Sequence, residues 1–346
     1  MSIEKYHHLV PKTYLKSWCH NKKTIWYYSK DDCKWDESNI DKICGIDFYH
    51  SIMPGSIYTT PNALQEIWSF LSPYHISYNG QPLDTFEKMN ALYDFFDEWE
   101  ILYPNGKPIN KKTLNKIKHT LSQAKHNNIE KQWSVQFEND WNDLVAKLEK
   151  YVADYKNGVV ITLDSVILSE LMRYFIMFEW RGSVGDESLN IELQRLDEMV
   201  ELSTIDIPEC DRVHPEDKTA FDAIKHEYRL KAFDDFQQDK GIMYMKKCFY
   251  EKNCSFTILQ TSGNDFFITS DNPCFNIIHT NNTIEPFLVI NPQLALTLTK
   301  IDNLAPSTPV ITIDSKEVNK YNQEIYQSSQ AIIMSLQSFD ITKILH

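Results

Sequence analysis

Glycine is scarce in this chain, with nine in 346 residues. Neither common glycine-rich phosphate loop is present, which leaves nucleotide cradling by backbone amides without its usual means. There is also no Gly-x-Ser-x-Gly elbow and no His-Glu-x-x-His helix, so two familiar hydrolase signatures are excluded. No run of eighteen apolar residues occurs and the mean hydropathy is -0.42, so no membrane-spanning helix is expected. The opening Met1-Ser2-Ile3-Glu4-Lys5-Tyr6 lacks the apolar segment of a secretory signal, and a cytoplasmic location is the expectation. Cysteines number seven, at 19, 33, 44, 210, 248, 254 and 274, without a Cys-x-x-Cys pair. That odd, unpaired set argues for reduced thiols over a disulfide scaffold or a cysteine-held structural zinc. Positive charge is in deficit, with 35 Lys and Arg against 48 Asp and Glu and a net charge of -13. A broad grip on nucleic acid needs the opposite sign, although a local basic groove or a metal-bridged phosphate stays open.

Aromatic residues are plentiful: eight Trp, eighteen Tyr and eighteen Phe, enough for one large core or two ordinary ones. Thr24-Ile25-Trp26-Tyr27-Tyr28 reads as an early strand. A helix is predicted to start at Thr60-Pro61, with Thr as cap and Pro in the first turn, carrying Leu64, Ile67, Trp68 and Leu71. Helical spacing continues over 84–102, 111–126 and 129–156, the last with Trp133, Phe137, Trp141, Leu144 and Leu148 on one stripe. Asp164 caps a helix over 166–181 that is apolar nearly all round and therefore central. Amphipathic segments near 187–203 and 215–239 follow. After Gly241 the texture becomes short β-type runs at 255–260, 266–269, 275–278, 287–290, 295–299 and 310–313, then a helix over 315–328 and a strand over 331–336. Helices in the middle and strands in the last third specify an α+β fold. The mostly antiparallel sheet should combine the C-terminal third with the N-terminal strands. The expected organisation is one integrated domain over 1–346, with an N-terminal motif region at 1–58, a helical region at 59–240 and a β-rich region at 241–346.

Chemistry can be carried by few places. His7 and His8 stand before Val10-Pro11, and strand alternation points them to opposite sides, so one of the two faces any given site. Both also fit local capping roles. Arg173 and Arg181 lie in the apolar helix and need anionic partners, either a ligand or nearby Glu170, Glu179 or Glu66. Ser270-Asp271-Asn272-Pro273 follows a strand, where Asp271 and Asn272 serve equally as an Asx turn or as a metal or substrate group. His8, Asn39 and His50 also follow the residue order of an HNH nuclease, with a wide gap between the first two.

These pieces together resemble the bacterial domain-of-unknown-function family 4238, over about 5–340. His8-Leu9-Val10-Pro11-Lys12-Thr13-Tyr14-Leu15-Lys16-Ser17-Trp18 is similar to that family's His-x-Val-Pro-x-x-Tyr-Leu-x-x-Phe opening, with Trp18 in place of Phe. Asp47-Phe48-Tyr49 resembles its next motif and Glu66 its acidic helix position; Arg173 and Arg181 resemble its Arg-bearing helix. Phe267-Ile268-Thr269-Ser270-Asp271-Asn272-Pro273 is the strongest internal match, followed by Phe287 to Pro292 and Val318-Asn319-x-x-Asn322. The family's Arg-x-Pro after the helix is absent, since Gly182-Ser183-Val184 follows Arg181. The resemblance implies a soluble bacterial protein without an established activity.

Two functional expectations follow. In the first, the chain is a metal-dependent hydrolase, a nuclease or phosphodiesterase acting on nucleic acid or nucleotides as a phage-defence effector. Its site is His8, Glu66, Arg173, Arg181, Asp271 and Asn272. Glu66 and Asp271 are ligands, His8 is a ligand or base, the cofactor is divalent Mg or Mn, and Arg173 stabilises charge. In the second, the same residues form the pocket of a non-catalytic binding or sensor protein, or a saturated structural network. A homo-oligomer fits either; a membrane partner fits neither. Both readings expect the N-terminal segment to pack on the C-terminal sheet and the Arg173 helix, with His8 inward.

Overall fold

A computed structural model describes residues 6–47, 49–51, 54–55, 61–122, 133, 137–159, 162–209, 212, 214, 217–300 and 308–345. In chain order the elements begin with β1 (Tyr6–His8), α1 (Lys12–Leu15), β2 (Thr24–Ser29), β3 (Lys34–Asn39) and β4 (Gly45–Asp47). Then come α2 (Pro61–Trp68), β5 (His75–Tyr78), β6 (Gln81–Pro82), α3 (Phe86–Ala91), β7 (Glu100–Leu102) and α4 (Lys111–Ser122). The long helices follow: α5 (Trp141–Lys156), α6 (Ser165–Arg181), α7 (Ser183–Val200), α8 (Ala220–Gln237) and α9 (Gly241–Asn253). The last third holds β8 (Cys254–Thr261), β9 (Thr269–Ser270), β10 (Cys274–Ile278), β11 (Ile284–Asn291), β12 (Leu294–Lys300), β13 (Val310–Ile313), α10 (Ser315–Ser328), β14 (Ile332–Ser335) and α11 (Thr342–Leu345). The α+β expectation is borne out. Among the described residues no helix is long and apolar enough to cross a membrane.

Two compact units divide the chain. The larger comprises Tyr6–Asp47, Trp133–Ile191 and Asp239–His346; the smaller comprises Met1–Lys5, Phe48–Gln132 and Glu192–Gln238.

In the larger unit a five-stranded sheet runs β10-β11-β12-β8-β13, antiparallel except for the parallel β8–β13 pair. A four-stranded sheet runs β3-β2-β14-β9, so the early strand does join the late ones, with Trp26 opposite Ser335 and Ile333 opposite Ser270. β1 pairs with β4. Helix α6 starts where the Asp164 carboxylate accepts from the Val166 N–H, which satisfies an orphan donor of the first turn. Its buried stretch from Leu171 to Trp180 supplies the centre of this unit. Tyr14 of α1 packs against Phe178 at 4.9 Å between ring centroids, and Trp141 of α5 against Tyr174 at 5.0 Å. Each such ring taken fully out of water contributes about 2–3 kcal/mol. The expected strand over 266–269 shrinks to β9, because the Asn322 amide takes over the backbone there. Its Oδ1 accepts from Ile268 N–H, while its Nδ2 donates to the Phe266 carbonyl.

The smaller unit gathers Leu64, Ile67, Trp68, Leu71, Ile76, Trp99, Ile101, Ile117 and Leu121 around the short sheet β6-β5-β7. Here the expected helix over 84–102 is corrected. It breaks into α3, a 3₁₀ stretch at Tyr93–Glu98 and strand β7. Pairing of Ile101 with Ile76 and burial of Trp99 outweigh the helical spacing, and the aromatic run before them winds tighter to reach it. The expected cap Thr60 and the helical extensions at 123–126, 129–132 and 134–136 lie outside the described residues.

Candidate metal centre

Tyr14 and Trp18 dock the N-terminal segment as expected: the Tyr14 hydroxyl lies 2.6 Å from Thr269 Oγ1, and Trp18 Nε1 donates to the Phe267 carbonyl. His8 turns inward, with Nε2 donating to the Ile40 carbonyl at 3.0 Å. The expectation that His8 rather than His7 faces inward is corrected in one respect, since both residues are buried. A three-residue strand covered on both faces hides alternate side chains alike.

Asp271 and Asn272 are brought together at the connection between α10 and β14. The Asp271 carboxylate accepts from the backbone N–H groups of Gln330, Ala331 and Ile332 at 2.9, 2.7 and 3.1 Å. The Asn272 amide donates to the Ser328 carbonyl at 3.1 Å. Arg173 ends elsewhere, donating to Asp239 at 2.6 Å and lying 5.2 Å from the centre of the Phe137 ring. The Arg181 guanidinium sits 3.5 Å from the centre of the Trp133 ring. Glu66 lies on α2 of the smaller unit, and its side chain is outside the described residues. Of the HNH-like order, the Asn39 side chain accepts from Asp41 N–H as a cap, and His50 belongs to the smaller unit.

A different constellation, which sequence reasoning missed, forms in the smaller unit. The loop before α8 is closed at its base by an antiparallel bridge between Asp206 and Thr219, by Ile207 N–H on the Lys218 carbonyl and by Ala220 N–H on the Ile205 carbonyl. Thr219 then caps α8 reciprocally with Asp222, which fixes the direction of the helix as it leaves the loop. Within the loop, Asp217 N–H donates to the His214 carbonyl at 3.0 Å, a tight turn that sets both side chains beside His226. Ligand atoms of His214, Asp217 and His226 lie within 4.8 Å of one another, and all three residues are buried.

The protons in this cluster follow from its partners. His226 Nε2 lies 2.8 Å from the Tyr49 carbonyl, which only accepts, so Nε2 carries the hydrogen. Nδ1 faces Asp217 Oδ1 at 3.2 Å. In neutral His226 that nitrogen holds a lone pair, so two electron-rich atoms face each other until a cation joins them, whether a proton or a metal ion. A divalent ion with N and O ligands at about 2.0–2.2 Å sets adjacent ligands roughly 3 Å apart, close to the 3.2 Å between His226 Nδ1 and Asp217 Oδ1. The carbonyl on the far ring nitrogen fixes tautomer and ring orientation, as metal-bound histidines require. The His214 ring stacks on His226 with centroids 3.8 Å apart and planes at 14°, so His214 joins His226 on one ion only by turning off that face. Tyr49 is held a second time, by Arg229, whose guanidinium donates to its hydroxyl from one helical turn beyond His226.

The cluster opens on a cavity of about 180 Å³. Ala223, His226, Glu227 and Leu230 line it from one face of α8, with the i, i+3, i+4, i+7 spacing of a single helical stripe. Ser51, Pro54, Gly55 and Asp94 also line it. The available sequence signal was His214-x-x-Asp217 ahead of a helix bearing His226.

A family model described as a protein of unknown function, DUF4238, matches residues 6–338. No curated protein and no solved structure matches the chain.

Proposed function

We propose that this chain, which belongs to the DUF4238 family of proteins of unknown function, is a metal-dependent hydrolase whose ion is held by Asp217 and His226, with His214 as third ligand once its ring turns off the face of His226. The observation that carries the reading is the pairing of His226: one ring nitrogen anchored on the Tyr49 carbonyl, the other presented with Asp217 to a common point. Three protein ligands leave coordination positions for water and substrate, the arrangement of catalytic rather than structural sites. Two imidazoles and one carboxylate favour a borderline ion such as Zn²⁺ over Mg²⁺, which prefers oxygen ligands. In hydrolysis the water oxygen bonds to the electrophilic centre, the scissile bond breaks, and the water's proton leaves on the departing group.

Calorimetric titration of the full chain with Zn²⁺ and Mn²⁺, followed by ester and phosphodiester hydrolysis assays, tests this reading. One ion bound per chain, with turnover lost in Asp217→Ala, supports it. Absence of binding refutes it.

The direct His226–Asp217 contact favours a second reading, a buried charge-assisted pair that braces the loop against α8. In that case added metal leaves both thermal stability and spectra unchanged. The phosphodiester and defence-effector reading built on His8, Glu66, Arg173, Arg181, Asp271 and Asn272 has its own test. It requires DNA or RNA cleavage with Mg²⁺ or Mn²⁺, and cell toxicity, both lost in Asp271→Ala.

A further inference from the structure

The charge around the cavity narrows the ligand, an inference that rests on the metal reading above. The charged residues lining the cavity, among those described, are Asp94, Asp217 and Glu227 together with the two histidines; no Lys or Arg is among them. Arg212, two residues before His214, donates its Nε to the Ile207 carbonyl. Arg229 directs its guanidinium to the Tyr49 hydroxyl. Among the described lining residues a divalent ion would meet three carboxylates, and no lining Lys or Arg offers an incoming anion a positive charge. Size acts in the same direction. At about 180 Å³ the cavity has room for roughly six waters. Drug-sized ligands occupy pockets from about 300 Å³ upward.

We infer that the ligand of this centre is a small uncharged or cationic molecule offering the ion a carbonyl, hydroxyl or amine lone pair, and that Asp94 and Glu227 exclude phosphate. Asp94 is exposed where it lines the cavity, while Glu227 is half-buried beside His226. A nucleotide meets opposition from both charge and volume.

The test loads the full chain with Co²⁺ and follows its visible absorption bands during titration with imidazole, as the uncharged probe, and with inorganic phosphate. The expected result is that imidazole binds at least about tenfold more tightly than phosphate to the wild type. In the double variant Asp94→Asn/Glu227→Gln, phosphate should gain about tenfold in affinity while imidazole changes little. Glu227→Asp, which keeps the charge, should keep the exclusion. Equal phosphate affinity in wild type and double variant overturns the inference, as does phosphate binding the wild type as tightly as imidazole does. Either result leaves the metal centre standing. Absence of cobalt bands in the wild type removes the centre, and the inference with it.

Discussion

The turn at Asp271 in the larger unit and the loop at Asp217 in the smaller one use the same residue type for different ends. At Asp271 both carboxylate oxygens are taken by three backbone N–H groups, and the side chain locks the entry to β14. At Asp217 one oxygen faces a histidine nitrogen whose other side is already committed, and both residues line a cavity. Arg173 and Arg229 repeat the contrast: the first ends on an Asp239 that is largely in water, the second braces Tyr49 behind a buried histidine. A titratable residue becomes a candidate for chemistry when its neighbours aim it at a shared point. Where they satisfy it in place, it becomes architecture.

The strongest perturbation of this contrast comes from the core that supports the Asp271 side. Trp141 is 2% exposed and packs on Tyr14, Tyr174 and Phe178. Trp141→Ala should destabilise the larger unit by about 3–5 kcal/mol in a urea titration. Next is His226→Ala, which should weaken Zn²⁺ binding by at least about 100-fold, while Asp271→Ala leaves it within about twofold. Calorimetry on the two variants reads this directly, and loss of binding in Asp271→Ala would erase the difference between the two carboxylates.

A smaller effect is expected on stability at the turn. Asp271→Ala forfeits three charge-assisted hydrogen bonds and should cost about 2 kcal/mol, reduced because the site is partly open to water. Asp271→Asn should cost about half of that, with denaturant midpoints as the measurement.

The smallest effect concerns Glu179. Burial pushes its carboxyl above the ordinary 4.5, partly offset by Lys246 at 2.9 Å and the Tyr250 hydroxyl at 3.3 Å. A raised folded value means that the folded state holds the proton longer than the unfolded chain does. That contribution to stability is full below about 4.5 and is lost as the pH rises through the raised value. Glu179→Gln should therefore flatten the fall in stability from pH 4.5 upward. Urea midpoints at pH 5 and pH 7 that keep the wild-type difference in the variant would place the pH dependence elsewhere.

Much of the architecture was legible from local pattern. Helix α10 spans the expected 315–328 because Asp314 and Glu317 close its first turn and Val318, Asn322 and Ile325 form its buried stripe. β13 matches its β-branched run, and the early strand joins the late sheet. Legibility failed where a partner distant in sequence decided the outcome. Ile76 drew residues 100–102 into a strand, and the Asn322 amide displaced strand pairing at Phe266–Ile268.

The candidate centre belongs to that second class. The sequence by itself determined an acidic, aromatic-rich α+β chain, the Asp164 cap and most strand positions, because these depend on composition and on spacings of two or 3.6 residues. Only the tertiary structure decided which of its histidines and carboxylates converge. His214 and Asp217 occupy an aperiodic loop, and it is the Asp206–Thr219 bridge, the Thr219 cap and the Tyr49 carbonyl that bring them to His226. Convergence of that kind is set by backbone closure between residues far apart in sequence, for which one-dimensional periodicity carries no signal.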